Sequence, residues 1–309
     1  MVDPVIWIAF SVAIVAMLAL DVVLERRTAA EGLPSMRASA VWSVVWTLVA
    51  LAFGAVYLLW RGSGPAGEYL TGFVLERSLS LDNLFVFAML FGYFAVPQPA
   101  QRKVLFFGIV GAILLRAGFI LAGGALLDAF HWTLYVFGAL LVVTGIRMAT
   151  HDSGEVHPDR NPVLRAVRRI VPMTDDYDRE RIFTRRDGKR VATPMFAALV
   201  LVATFDVIFA VDSIPAIFGV TRDTFTVFAA NAFSLLGMMS LYFLLAGMAD
   251  RFRYLNVGLA FVLVFIGLKM LIADLWHVPT VLSLAVIVAS LGVAVAASMR
   301  KDRAVAAAR

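Results

Sequence analysis

Residues 194–220 read PMFAALVLVATFDVIFAVDSIPAIFGV, an apolar run whose only charged residues are Asp206 and Asp212. As a helix rising 1.5 Å per residue, such a run crosses a hydrocarbon core of roughly 30 Å. The stretch is therefore a membrane span that carries two acids inside the bilayer, where ionised side chains are expensive.

Outward from this stretch the same apolar pattern recurs. Of the 309 residues 61% are hydrophobic and 16% charged, with a mean hydropathy of +0.86. Ordinary soluble domains carry about 25% charged residues. Helices are expected at about 5–24, 38–60, 69–96, 103–127, 131–149, 194–220, 226–248, 254–273 and 280–298. Gly62, Gly64 and Pro65 end the second, Pro97 and Pro99 follow the third, and Pro279 opens the last. The expected architecture is all-α: a polytopic bundle of about nine transmembrane helices forming one domain, 1–309. The first run, Val5 to Leu24, has no basic leader and no small-residue cleavage site, and reads as a retained helix.

Basic residues fall on one side of this layout. Of the 27 Lys and Arg, 21 lie in the odd-numbered loops and the C-terminal tail, while the opposite side holds Arg61 and Arg222. This asymmetry leads us to expect the N-terminus outside and the C-terminus in the cytoplasm. It also explains the sequence pI near 9.7 without nucleic acid. The chain has no cysteine, so disulfides and thiol chemistry are excluded. There is no phosphate-cradling Gly loop and no His-Glu-x-x-His pair. No catalytic activity is expected. The loop 150–193, with ten basic and eight acidic residues, reads as a solvated cytoplasmic linker with a short amphipathic piece near Val163 to Ile170.

A repeat organises the acids. The third helix contains Glu76-Arg77-Ser78-Leu79-Ser80-Leu81-Asp82-Asn83, and the sixth Asp206-Val207-Ile208-Phe209-Ala210-Val211-Asp212-Ser213. Each has an acid, then Asp six residues later, then a small polar residue. Gly145-Ile146-Arg147-Met148 likewise resembles Gly267-Leu268-Lys269-Met270. Residues 69–149 and 194–273 thus read as two copies of a three-helix unit, the second inverted because three is odd. Inverted repeats recur in secondary transporters, with the substrate site near the midplane.

Acids six apart on one helix are separated by about 9 Å of rise and about 120° of rotation. Neither pair closes on an ion alone, so a shared site between the third and sixth helices is expected. Pro215, Gly72 and Gly219 allow breaks that free carbonyls as further ligands. The in-span donors are Glu76, Ser80, Asp82, Asn83, Asp206, Asp212, Ser213 and Asn231, while His131, His151, His157 and His277 lie in loops or at helix ends. An oxygen-only set suits Mg²⁺, Ca²⁺ or Mn²⁺. Met89, Met238 and Met239 read as packing. The bases Arg77, Arg116, Arg147 and Lys269 equal the acids in number, so structural ion pairing is the competing explanation. Asp21, late in the first helix, reaches either the cytoplasmic surface or the site, the surface being favoured.

At these motifs, extended to Phe87 in the third helix and spanning Phe205 to Ala216 in the sixth, the sequence resembles the TerC/Alx family of integral membrane proteins, grouped with LysE-like exporters. The resemblance covers about residues 5–275. It implies tellurium resistance and, for several members, manganese efflux. It implicates Glu76, Asp82, Asp206 and Asp212 as transport acids, with Asn83 and Ser213 beside them. Tellurite is an oxyanion, which four carboxylates are poorly suited to bind.

The expected function is export of a divalent cation, most consistently Mn²⁺, with protons as counter-ion because protons and metal compete for the same oxygens. The metal is cargo and no cofactor is expected; protein partners are undefined beyond the lipid bilayer. Two other classes remain open: a membrane-protein assembly or envelope-stress factor without transport, and an exporter of a small organic or amino acid.

Overall fold

The computed structural model describes residues 2–29, 36–130, 132–150, 162–174, 176–178, 181–186, 189–245, 254–276 and 278–307. Eleven helices lie within them: α1 (Pro4–Ala29), α2 (Met36–Arg61), α3 (Ser63–Tyr93), α4 (Gln98–Ala129), α5 (Thr133–Thr150), α6 (Pro162–Ile170), α7 (Pro194–Phe218), α8 (Thr224–Leu235), α9 (Met238–Leu245), α10 (Leu255–Leu271) and α11 (Thr280–Ala307). A two-stranded antiparallel hairpin, β1 (Phe183–Arg186) with β2 (Lys189–Ala192), precedes α7. The four histidines lie outside the described residues.

Six of the described helices, α1, α2, α4, α5, α7 and α11, are long and apolar enough to cross a bilayer, and the α8–α9 pair makes a seventh if it is one bent span. The chain is a multi-pass helical membrane protein. α3 is the longest of the remainder at 31 residues, but Glu68, Glu76, Arg77 and Asp82 make it too charged for that class, and α10 has 17 residues.

Local chemistry fixes several boundaries. Gly62, with φ +86°, turns the chain between α2 and α3, a conformation open to glycine. Pro194 occupies the first turn of α7, where its missing N–H costs nothing. Asp223 caps α8 by accepting from the Phe225 N–H at 3.1 Å. Pro215 lies in the last turn of α7 and Gly219 just beyond it, while Gly72 lies inside an unbroken α3. None of these three breaks its span.

The break falls elsewhere. The expected helix 226–248 divides at Leu236 and Gly237 into α8 and α9, bent by 47°. Leu236 is extended and Gly237 has φ +69°, so helical hydrogen bonding stops there. Arg77 from α3 donates one guanidinium nitrogen to the Ser234 carbonyl at 2.6 Å and the Leu236 carbonyl at 2.8 Å. A cation at carbonyls stranded by a helix end offsets the dipole there and satisfies groups that lipid cannot.

Pairing between helices is reciprocal. α3 packs on α8, α4 on α7, and α5 on α10, with α3 also on α7. α5 and α10 approach backbone to backbone. A Cβ at Gly138 would lie 2.9 Å from the Gly267 carbonyl oxygen, and one at Gly267 would lie 2.7 Å from that of Gly138. Small residues permit such contact where lipid supplies no hydrophobic drive.

The described part of the linker is more ordered than expected. The amphipathic piece is α6, and its Leu164 is buried in the same apolar cluster as Leu105 and Leu201. Tyr177 donates to the Phe94 carbonyl at 2.8 Å, and burial pushes its phenol up to about 12, so it remains a donor at physiological pH. Thr174 N–H bonds to Ala192 O at 2.9 Å, tying this segment to β2. Residues 151–161 of the linker lie outside the described ones.

Candidate cation site

Three helices deliver one charged side chain each to a common point. On α4, Arg116 lies between Ala112, in one apolar cluster, and Ile120, in another. On α7, Asp206 lies between Val202 and Ala210 of the same two clusters. On α3, Glu76 follows Leu75 of the second cluster and precedes Leu84 of the first. A polar layer is thereby enclosed between two apolar plugs.

The enclosure is nearly complete: Glu76 is 0% exposed, Arg116 1%, Asp206 2% and Asn231, on α8, 2%. Arg116 Nη1 forms an ion pair with Glu76 Oε1. Its Nη2 donates to Asp206 Oδ1 at 3.4 Å, and Nη1 to Asn231 Oδ1, also at 3.4 Å. The last two are at the long end for hydrogen bonds, whereas a guanidinium locked on carboxylates shows about 2.7–2.9 Å. Glu76 Oε2, Asp206 Oδ2, Asn231 Nδ2, Ser213 Oγ, Ser80 Oγ and Arg116 Nε have no hydrogen-bond partner among the described residues. Buried polar atoms are normally paired, so unpaired oxygens on α3 and α7 and an unpaired amide nitrogen on α8 need an explanation.

The expected residues divide accordingly. Glu76, Asp206 and Asn231 come together on Arg116. Ser213 and Asn83 are buried on α7 and α3. Asp212 makes a different contact, accepting from Thr144 Oγ1 of α5 at 3.0 Å. Asp82 belongs to α3, and its side chain lies outside the described ones. Among the described residues no group of three or more His, Cys, Asp or Glu converges as a metal centre would. Among the described side chains, Glu76 and Asp206 share Arg116 while Asp212 stands apart on Thr144.

Asp21 requires a correction. It is 4% exposed, not at the surface, and its carboxylate accepts from Trp46 Nε1 at 2.7 Å and from the Gly237 N–H. Burial beside Trp46 and the α8–α9 break keeps it off both the surface and the Glu76 layer. Arg116 is the functional residue that the sequence understated. Its signal was present, one arginine within GAILLRAGFILAGG, but matching acids to bases by number did not reveal which base the acids share.

A second polar region lies near one end of α3, α7 and α10. A cavity of about 480 Å³ is lined by Glu68, Thr221, Arg222, Lys269, Asp274 and Trp276 among others. Thr221 donates to Glu68 at 2.6 Å, and Lys269 to Ser283 at 3.1 Å.

Residues 62–305 match the description "Integral membrane protein TerC family". The chain belongs to that family. It is 45% identical over 292 residues to the Escherichia coli (strain K12) protein described as "Putative membrane-bound redox modulator Alx", covering 92% of this chain and 91% of that one. A Myxococcus xanthus membrane protein is 43% identical, with 97% and 94% covered, and a Rickettsia felis membrane protein 35%, with 95% and 97%. No solved structure matches the chain significantly. For a member of the TerC family, the Glu76–Arg116–Asp206 layer is a charged constellation buried between the plugs of the bundle.

Proposed function

We propose that this TerC-family chain exports a divalent cation, Mn²⁺ foremost, across the bacterial plasma membrane, with its N-terminus outside and its C-terminus in the cytoplasm. The observation that carries the reading is the pair Glu76 and Asp206: two fully buried acids from different helices, each with an oxygen that no described residue satisfies. An ionised acid at the bilayer centre costs about 2.5–3.5 kcal/mol on the lenient scale, and one guanidinium offsets only part of two. Their oxygens, with that of Asn231 on the same guanidinium, suit a hard cation.

Reciprocal pairing of α3 with α8 and α4 with α7, and of α5 with α10, supports an inverted repeat in which α3–α5 correspond to α7–α10. In such folds a broken helix near the substrate path is recurrent, and α8–α9 supplies one. Protonation of the acids on one side would release the metal and couple export to proton entry. The relatives' description as redox modulators fits this reading only through cargo, because a chain without cysteine offers no thiol.

The test is Mn²⁺ uptake into inverted membrane vesicles containing wild type, Glu76→Gln or Asp206→Asn. Wild type should accumulate Mn²⁺ and both variants should lose most of that activity while inserting normally. Wild-type rates from correctly inserted variants would refute transport through these acids and leave the assembly role standing.

A further inference from the structure

We infer that Arg116 is a tethered cation that occupies the cargo position in the resting protein and must leave it when the metal binds. The inference rests on the cation-export reading and specifies how the same site works. Arg116 reaches each of the oxygens that a metal would need: Glu76 Oε1, Asp206 Oδ1 and Asn231 Oδ1, from α3, α7 and α8.

Charge decides between displacement and coexistence. Two carboxylates with one guanidinium leave a net −1 in a closed apolar layer. Adding a divalent ion while Arg116 stays gives +1, so neither state is neutral. Exchanging Arg116 for a divalent ion gives zero, whereas exchange for a monovalent ion restores −1. In a medium of low dielectric those differences are large: a divalent ion reaches neutrality only by displacing Arg116, whereas a monovalent ion reaches it beside the retained guanidinium. Displacement is also mechanically feasible: two of the three contacts are at 3.4 Å and Arg116 Nε makes none among the described residues. Of its two acids Arg116 holds Glu76 closely and Asp206 only at 3.4 Å, so the Asp206 and Asn231 contacts are the ones that yield first.

A tethered competitor gives the transporter a filled site when cargo is absent. The empty protein can then change conformation without exposing two bare carboxylates to lipid, and a metal ion gains entry only by outcompeting the side chain. Arg116 is accordingly a positioning and specificity residue, in addition to lowering the cost of the acids.

The experiment measures Mn²⁺ binding to the full chain in detergent by the loss of the free-ion paramagnetic resonance signal. Arg116→Ala should bind Mn²⁺ about tenfold or more tightly than wild type, because the competitor is gone. Millimolar methylguanidinium, entering the space left by the truncated side chain, should weaken binding in Arg116→Ala back towards the wild-type value and leave wild type unchanged. Arg116→Lys, which keeps the charge but loses the planar fork, should bind with intermediate affinity, and it serves as the reading if the alanine variant fails to fold. Affinity equal to or below wild type in the folded variants, or no effect of methylguanidinium, overturns the tether while leaving export intact if wild type still binds the ion. Absence of Mn²⁺ binding in wild type and variants alike overturns the cargo reading and the tether with it.

Discussion

A Cβ atom at Gly237 would lie 2.5 Å from Trp46 Cδ1 and 2.8 Å from Trp46 Cβ, so the tryptophan of α2 presses on the bare backbone at the α8–α9 break. With φ at +69°, residue 237 is also in a conformation that side chains resist. Gly237→Ala should therefore destabilise the protein by about 2–4 kcal/mol, strain and overpacking together. Gly64→Ala, where nothing lies within 4 Å, is the control and should melt within a degree or two of wild type, a small change in free energy of about 0.5 kcal/mol. Thermal unfolding in detergent measures both, and equal melting of the two variants would contradict the close approach.

Trp46 also donates to Asp21, the buried carboxylate on α1. Trp46→Phe removes one hydrogen bond to a charged group and should cost about 1.5–3 kcal/mol. In a double-mutant cycle with Asp21→Asn, the coupling should be about 0.5–3 kcal/mol. Strictly additive effects would show that the two residues act separately.

Arg77→Met leaves the Ser234 and Leu236 carbonyls without their donor at a helix break inside the bundle. The expected loss is about 2–4 kcal/mol, seen as a lower unfolding midpoint in detergent. Because Asp21 makes an attractive charge interaction with Arg77, Asp21→Asn should recover part of that loss when combined with it. A double variant less stable than the sum of the single losses would count against this pairing.

Asp206 and Asp212 lie six residues apart but answer to different neighbours, Arg116 and Thr144. Asp206→Asn should lower Mn²⁺ transport by more than about tenfold, a change above 1.4 kcal/mol in the rate-limiting barrier. Thr144→Val, which removes only the donor to Asp212, should lower it by less than about threefold. Vesicle uptake measured at matched protein levels separates them, and the reverse order would assign the cargo to the Asp212 contact.

The apolar runs were legible in the sequence because a bilayer imposes length and composition on every span, and 194–218 emerged almost as read. The acids of the third and sixth helices were expected to face one another with no particular pair named, and Glu76 and Asp206 share the Arg116 guanidinium. Three features were not legible. The break in 226–248 falls where Trp46 from α2 presses on Gly237, a contact between residues 191 positions apart that no local pattern reports. Asp21 reads as a helix-end acid until Trp46 and the Gly237 N–H are placed beside it. The β1–β2 hairpin is short, charged and exposed on most positions, so neither alternation nor apolar content marks it.

The backbone contact of Gly138 with Gly267 has a mechanical consequence. With no side chains between them, α5 and α10 have nothing compressible at their crossing. Sliding one helix along the other would drive peptide groups into the neighbouring Val142 and Met270 side chains, whereas rotation about the crossing point leaves the two glycines touching. The pair therefore sets how closely α5 and α10 approach, because a side chain at either glycine would force the two helices apart.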